Sequence, residues 1–125
     1  MRAPIRDWQD LDVWQRAHHL ALQVYRIVEG FPALERYRLA DQLCRAAVSI
    51  PANIAEGKGR GSLREYLKFL TIARGSIEEV RYLLLLAIDL GYVAESVYTE
   101  IAHEHRIVGK MLNALMKALR ARLPT

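Results

Sequence analysis

The sequence predicts an all-α fold: an antiparallel, up-down-up-down four-helix bundle whose second helix is kinked by a proline. Apolar residues recur every three or four positions through four long segments, which is the spacing of one buried helix face. Short breaks rich in glycine or proline separate these segments, and short connections make consecutive helices antiparallel neighbours. No segment shows the strict alternation of apolar and polar residues that is typical of a strand.

Turn and capping residues set the bounds of the four predicted helices. Gly30-Phe31-Pro32 ends the first helix, and Ser62 with Glu65 forms a capping box that starts the third. The first helix carries two adjacent apolar stripes, which is more than one packing seam needs. The predicted helices run from about Asp10 to Glu29, from about Ala33 to Glu56, from Ser62 to the closing Asp89-Leu90-Gly91, and from about Ala94 to Arg122.

The composition is that of one globular domain spanning residues 1–125, because 52% of the residues are hydrophobic and 26% are charged. A net charge of +4 is compatible with binding nucleic acid but does not require it. The single cysteine, Cys44, excludes an internal disulfide and favours a reducing compartment. The longest apolar run, Tyr82 to Ile88, is too short to span a bilayer, and the N-terminus lacks the apolar core of a secretory signal.

The most unusual residue of the second helix is Pro51. A proline inside a helix removes one backbone hydrogen bond and clashes with the carbonyl four residues back, here that of Ala47, at a cost of about 3 kcal/mol. This cost predicts that the helix is kinked at Pro51 and that the kink has a structural or functional role. Asn53 and Glu56 are polar groups near the break, so we expect them to cap backbone groups or to reach a neighbouring chain.

A basic, glycine-rich stretch, Gly57-Lys58-Gly59-Arg60-Gly61-Ser62, follows the second helix. It lacks the residue order of a phosphate-binding P-loop and follows a helix rather than a strand. The stretch nevertheless leads directly into the N-terminus of the third helix. The free backbone N–H groups and the positive end of the helix dipole at such a position favour the binding of anions. Lys58 and Arg60, with Arg64 and Lys68 one turn apart in the next helix, add positive charge. Both an anion-binding corner and a flexible, solubilising turn fit this pattern.

The fourth helix carries a basic stripe towards its C-terminus. Bases near the C-terminus and acids near the N-terminus complement the helix dipole, which is the simpler interpretation. A ladder of contacts to phosphates is the alternative, and its affinity would fall steeply with salt. The stripe consists of Arg106, Lys110, Asn113, Lys117 and Arg120.

The third helix has a glycine in its middle, Gly75, followed by Ser76. A mid-helix glycine costs about 1 kcal/mol relative to alanine, so Gly75-Ser76 predicts a close helix approach. Arg74 and Arg81 lie beside the core stripe, where each can pair with Glu78. These residues suit a subunit interface, and they suit an internal polar seam almost as well.

No constellation for metal binding or catalysis is complete. Di-iron bundles need the Glu-x-x-His motif on two helices, and here it occurs once, as Glu100 and His103. His105 falls on the inward stripe of the fourth helix, which favours a hydrogen-bonded core or interface histidine over a ligand. Neither Ser49 nor Cys44 has a histidine at helical spacing. We therefore expect no enzyme activity, no metal and no cofactor.

Ser49 to Gly57 form the most specific string in the chain, Ser-Ile-Pro-Ala-Asn-Ile-Ala-Glu-Gly. With further positions along nearly the whole chain, it resembles the four-helix-bundle family encoded within intervening sequences of bacterial 23S ribosomal RNA genes, also called S23-type proteins. Two residues depart from that family's usual pattern: Trp8, and Arg74, where no standard family contact is expected. The other matching positions are Asp10-Leu11, Val13-Trp14, Phe31-Pro32, Glu35, Leu39, Gln42, Arg45-Ala46, Phe69-Leu70, Ile72-Ala73, Gly75-Ser76, Glu79 and Leu90-Gly91-Tyr92.

This resemblance implies a cytoplasmic bacterial protein with a kinked second helix that assembles into a ring-shaped homo-pentamer. The chain is also similar to the accessory variability protein of diversity-generating retroelements, a pentameric bundle that binds nucleic acid and a reverse transcriptase. Rotational assembly would gather the charge of +4 per chain into a stronger field.

We therefore expect a non-enzymatic homo-oligomeric bundle that binds structured RNA or other nucleic acid through Lys58, Arg60, Arg64 and Lys68. The alternative is a protein-interaction scaffold, or an accessory subunit for a partner such as a reverse transcriptase, with no direct nucleic-acid binding. The residues expected to serve structure and assembly are Pro51, Asn53, Glu56, Gly75 and Ser76.

Overall fold

Four helices make up the fold, and the computed structural model, which describes residues 4–124, shows no strand among those residues. The all-α class is therefore confirmed. Each helix packs on its neighbours in the chain, and the first also packs on the fourth, so all four enclose one core. Short 3-10 helices at Trp8–Asp10 and Ala33–Glu35 precede the first and second helices. The helices are α1 (Asp12–Val28), α2 (Leu39–Gly59), α3 (Leu63–Asp89) and α4 (Glu95–Arg120).

The core consists of the apolar stripes that the helical period predicts. Burying one such aliphatic side chain contributes about 1.5–3 kcal/mol, so the stripes are the main stabilising feature of the bundle. None of the described helices combines enough length with enough apolar character to cross a bilayer. The largest fully buried aliphatic side chains are Leu20, Leu43, Ile50, Ile54, Leu70, Leu84, Leu112 and Met116.

The sequence predicts that the second helix begins near Ala33, but in the structure it begins at Leu39. The buried side chain of Glu35 explains the difference. Glu35 Oε1 accepts a hydrogen bond from the backbone N–H of Leu39 at 3.4 Å, so it satisfies one of the free donors of the first turn. Its Oε2 accepts from the Tyr92 hydroxyl at 2.8 Å. Glu35 therefore starts α2 and ties the α1–α2 connection to the α3–α4 connection.

The second helix also ends later than predicted, because Gly57 does not break it. A Cβ on Gly57 would lie 2.9 Å from Phe69 Cβ and 3.3 Å from the carbonyl oxygen of Tyr66. Glycine at this position therefore permits α2 and α3 to approach closely. The chain turns instead at Gly61, whose φ of +81° suits glycine. Ser62 Oγ then accepts the N–H of Glu65 at 3.1 Å, which caps α3.

Polar side-chain contacts between neighbouring helices show how the helices are aligned along their lengths. Between α3 and α4, Arg74 Nη1 donates to Asn113 Oδ1 at 3.3 Å. Between α1 and α4, Arg16 Nη1 pairs with Glu104 Oε2 at 3.3 Å. These contacts, with the Gly57 approach, fix which side chains of adjacent helices share a surface.

Candidate functional site

Two of the four predicted cations, Lys58 and Arg60, lie against aromatic rings at the junction of α2 and α3. Lys58 Nζ is 6.0 Å from the ring centroid of Tyr66, and Arg60 Cζ is 4.8 Å from that of Phe69. Such cation–π contacts contribute about 0.5–1 kcal/mol at exposed sites and hold the charged group in one region. Arg60 Nη2 also lies 3.5 Å from Glu56 Oε1, so one of the two charges is partly neutralised.

The other two predicted cations, Arg64 and Lys68, are exposed on α3. At 100° per residue they project from the side of α3 opposite the buried Tyr66. The four cations therefore divide into a pair at the junction and a pair on the outer face of α3.

Arg122, beyond the end of α4, joins the junction pair. It lines the same groove of about 230 Å³ as Lys58, Gly61 and Tyr66. Sequence reasoning missed Arg122 because nothing local indicates that the last turn of α4 returns to the glycine-rich connection. We call Lys58, Arg60, Gly61 and Arg122 the glycine corner.

A second concentration of positive charge lies between α3 and α4, in a groove of about 370 Å³. In the sequence, the two walls of this groove appear as separate features: the arginines of the third helix and the basic stripe of the fourth. The structure brings Arg74 and Arg81 of α3 opposite Arg106, Lys110 and Asn113 of α4. We call this feature, which no sequence pattern predicted as one site, the α3–α4 groove.

His105 lies at the base of the α3–α4 groove with only 2% of its surface exposed. Neither ring nitrogen has a hydrogen-bond partner within residues 4–124, which differs from the hydrogen-bonded histidine that the sequence predicts. Burial, and secondarily the charge of Arg81, lowers the pKa of His105 to about 4. The ring is therefore neutral at pH 7. A buried polar group without a partner costs about 1–3 kcal/mol, which marks this histidine as unusual.

The charges beside His105 are only partly paired. Arg81 Nη1 lies 2.8 Å and 3.1 Å from the two carboxylate oxygens of Glu78, as predicted. Arg74 contacts Asn113 instead of Glu78. Within residues 4–124, no carboxylate oxygen lies within ion-pair distance of Arg106 or Lys110.

A polar seam of Asn53, Ser49 and Ser76 joins α2 to α3 just beside Pro51. Asn53 Nδ2 donates to Ser49 O at 2.7 Å and to Ser49 Oγ at 2.9 Å. Ser49 Oγ and Ser76 Oγ are 2.8 Å apart, and Ser76 Oγ donates to Ile72 O at 3.1 Å. Because a hydroxyl has one proton, Ser49 must donate to Ser76. Asn53 and Ser76 are thus engaged inside the chain.

Gly75 requires a correction to the expected close helix approach. A Cβ built there meets no atom within 4 Å among the described residues, so no neighbouring helix of the same chain crowds it. A close approach of α2 and α3 occurs at Gly57, where an added Cβ would lie 2.9 Å from Phe69 Cβ. Ser76, the other residue of the predicted pair, does contact α2, because its Oγ lies 2.8 Å from Ser49 Oγ. Gly75 is exposed, and a contact with another subunit stays a prediction.

Metal-ligand geometry is not found in the part of the chain that the structure describes. Within residues 4–124, no group of three or more His, Cys, Asp or Glu side chains is close enough to hold a metal ion. Glu100 and His103 line a surface groove with Gln23 of α1.

Comparison with known proteins identifies the family. The family model described as 23S rRNA-intervening sequence protein matches residues 9–114. The chain is also similar to a crystal structure of a protein of unknown function from the S23 ribosomal protein family of Bacteroides thetaiotaomicron, with a TM-score of 0.78 and 24% identity over 84% of this chain and 95% of that one. This likeness supports the fold. No curated protein matches the chain. The chain belongs to the 23S rRNA-intervening sequence protein family.

Proposed function

We propose that the protein is a non-enzymatic, homo-oligomeric bundle that binds structured RNA through a basic surface. The observation that carries the proposal is the glycine corner, where Lys58 and Arg60 lie against aromatic rings and Arg122 lines the same groove as Lys58. Cations held in this way suit the phosphate backbone, which dominates nucleic-acid affinity. Exposed Arg64 and Lys68 supply a second pair of cations on the outer face of α3. The family's association with 23S rRNA genes favours RNA as the ligand.

The arrangement that we propose for the bundle is up-down-up-down, with α2 kinked at Pro51. The end of α2 meets the start of α3 at Gly57 and Tyr66, which supports antiparallel neighbours. Pro51 lies inside α2, where it removes a backbone donor. Ser49 and Asn53 of the polar seam flank Pro51, and their hydrogen bonds would stabilise a bend at this point.

Charge reversal tests the RNA proposal. We expect a chain with Lys58, Arg60, Arg64 and Lys68 all changed to Glu to lose RNA retention in a filter-binding titration at low salt. In the unmodified chain the logarithm of affinity should fall linearly with that of salt, by about 0.7–0.9 per phosphate contacted, and the variant's slope should be shallower.

A matched control reverses four exposed cations near the α1–α2 connection: Arg26, Arg36, Arg38 and Arg45. It changes the net charge equally, so retained binding would localise the RNA to the α2–α3 end. Equal loss in both variants would indicate a nonspecific charge effect. The absence of RNA retention by the unmodified chain at low salt would reject the proposal.

A protein-interaction scaffold is the second candidate, favoured by apolar side chains exposed near the α1–α2 connection. Tyr37 is 86% exposed and Leu34 is 62% exposed, although both are large and apolar. A partner such as a reverse transcriptase would be bound through this patch. Pull-down that is insensitive to salt, and lost in a Leu34→Ser, Tyr37→Ser variant, would favour this function over RNA binding.

The absence of catalysis and a cytoplasmic location are parts of the same proposal. Burial, with a smaller effect from Asp41, raises the pKa of Cys44, which disfavours the reactive thiolate. A free cysteine also suits a reducing compartment.

A further inference from the structure

We propose that the α3–α4 groove is a separate anion site that takes a phosphate group between Arg74 and Arg81 on one wall and Arg106 and Lys110 on the other. This inference goes beyond RNA binding at the glycine corner, because the two sites share no lining residue. It therefore stands or falls independently of the proposed function.

The groove has an excess of positive charge that the chain itself does not neutralise. Glu78 is the one carboxylate among its lining residues, and Arg81 already engages it. Arg106 and Lys110 approach no carboxylate within residues 4–124. Arg106 and Lys110 thus place two positive charges in a concave surface that lacks a counter-charge. This arrangement favours the binding of an anion from solution.

His105 is the second, independent indication of a ligand. The residue is 2% exposed and lines the groove, and neither ring nitrogen has a partner among the described protein atoms. Buried polar side chains are nearly always hydrogen-bonded, so an orphan beneath a cationic groove calls for a binding partner. A neutral imidazole carries one N–H, which can donate to an anion from below.

The arrangement of donors favours a phosphate group over a carboxylate. Guanidinium groups form paired hydrogen bonds with either anion. In this groove, however, donors approach from α3, from α4 and from the His105 ring at the base. A tetrahedral phosphate has oxygens that can face all three directions, whereas a planar carboxylate has two oxygens in one plane.

Inorganic pyrophosphate is the probe for the test, with the His105 ring nitrogens observed by ¹⁵N NMR in the full chain. We expect saturable shifts of the His105 signals at low salt. An Arg106→Glu, Lys110→Glu variant should weaken binding at least tenfold. Lys117→Glu, on the same helix but outside the groove, is the matched control and should change the affinity less than twofold. The three substituted positions are not buried, so the variants should keep the fold, which circular dichroism can check.

A short single-stranded RNA distinguishes the two sources of phosphate. Shifts with pyrophosphate identify a site for free phosphorylated compounds, and shifts with RNA alone identify a site for the polymer backbone. Both results support a phosphate site in the α3–α4 groove. If the His105 shifts persist in the variant in which Lys58, Arg60, Arg64 and Lys68 are changed to Glu, the phosphate binds independently of the glycine corner. No shift with either probe, or equal weakening by Lys117→Glu, would overturn the inference.

Discussion

At the scale of single residues, His105 is the most unusual side chain, because its polar ring is buried without a hydrogen-bond partner among the described residues. The helical period places it on the inward face of α4, but an imidazole in a core normally has a partner. Burial and Arg81 instead lower its pKa to about 4. The protein therefore holds a neutral histidine below several cations, and this state has a measurable consequence for stability.

We predict that His105 makes the fold sensitive to mild acid. Its pKa is lower in the folded chain than the ordinary 6.5, so between pH 6.5 and 4 the unfolded chain binds the proton more readily. The stabilisation is complete above pH 6.5 and is lost as the pH falls towards 4. Between pH 7 and 4.5, urea unfolding should show the wild-type free energy falling about 2–3 kcal/mol more than that of His105→Gln. Glu78, Arg74, Arg81, Arg106 and Lys110 are the charged groups beside the ring and remain in both chains.

Parallel pH dependence in the two chains would contradict this prediction. It would mean that the imidazole retains its ordinary pKa in the folded state.

At the scale of elements, small and polar residues add to the apolar core in determining how α2 and α3 are aligned. Ser49 and Ser76 share a hydrogen bond, and Gly57 permits contact with Phe69. Pro51 lies between these two points. The most specific string of the sequence, Ser49 to Gly57, therefore begins and ends at residues of α2 that contact α3.

Two glycine substitutions should change stability in opposite directions. Gly57→Ala places a methyl group 2.9 Å from Phe69 Cβ, an atom fixed to the backbone, so we expect a loss of about 1–3 kcal/mol. Gly75→Ala meets no atom within 4 Å and should gain about 0.5–1 kcal/mol of helix stability. Urea unfolding measures both. A neutral or stabilising Gly57→Ala would show that α2 and α3 are free to move apart.

At the scale of the whole molecule, the arrangement of charge matters more than its total. A net charge of +4 is modest, yet the α3–α4 groove and the glycine corner each gather cations that are distant in sequence. Assembly by rotation would multiply both surfaces. A homo-pentamer would therefore convert the weak field of one chain into a stronger one.

Light scattering tests the assembly. We expect a mass of five chains for the unmodified protein. Gly75→Arg should lower that mass while helicity is kept, because Gly75 is exposed and the added side chain has room within its own chain. Ala118→Arg, an exposed change on α4, is the control. A monomer at every concentration would reject the pentamer, and an unchanged mass for Gly75→Arg would remove Gly75 from the interface.

The sequence was sufficient to predict four helices and their apolar faces. Apolar period and turn residues act within a few positions, so they predicted these helices and the cap at Ser62. They could not predict that Glu35 would delay α2, because that effect needs Tyr92 from another connection. They predicted a close approach at Gly75-Ser76, where Ser76 does contact Ser49 of α2 but no described atom crowds Gly75. They missed Gly57, because a helical glycine looks the same in sequence whether or not a neighbouring helix is close.

By itself, then, the sequence determined that there are four helices, which of their faces are apolar and to which family the chain belongs. Only the tertiary structure decided which stripes share a groove, since that depends on how far each helix slides and turns against its neighbour. The basic stripe of α4 meets Arg74 and Arg81 above His105 only because packing of the core fixes that alignment. Helical period is a property of one segment, whereas a site between helices is a property of their packing.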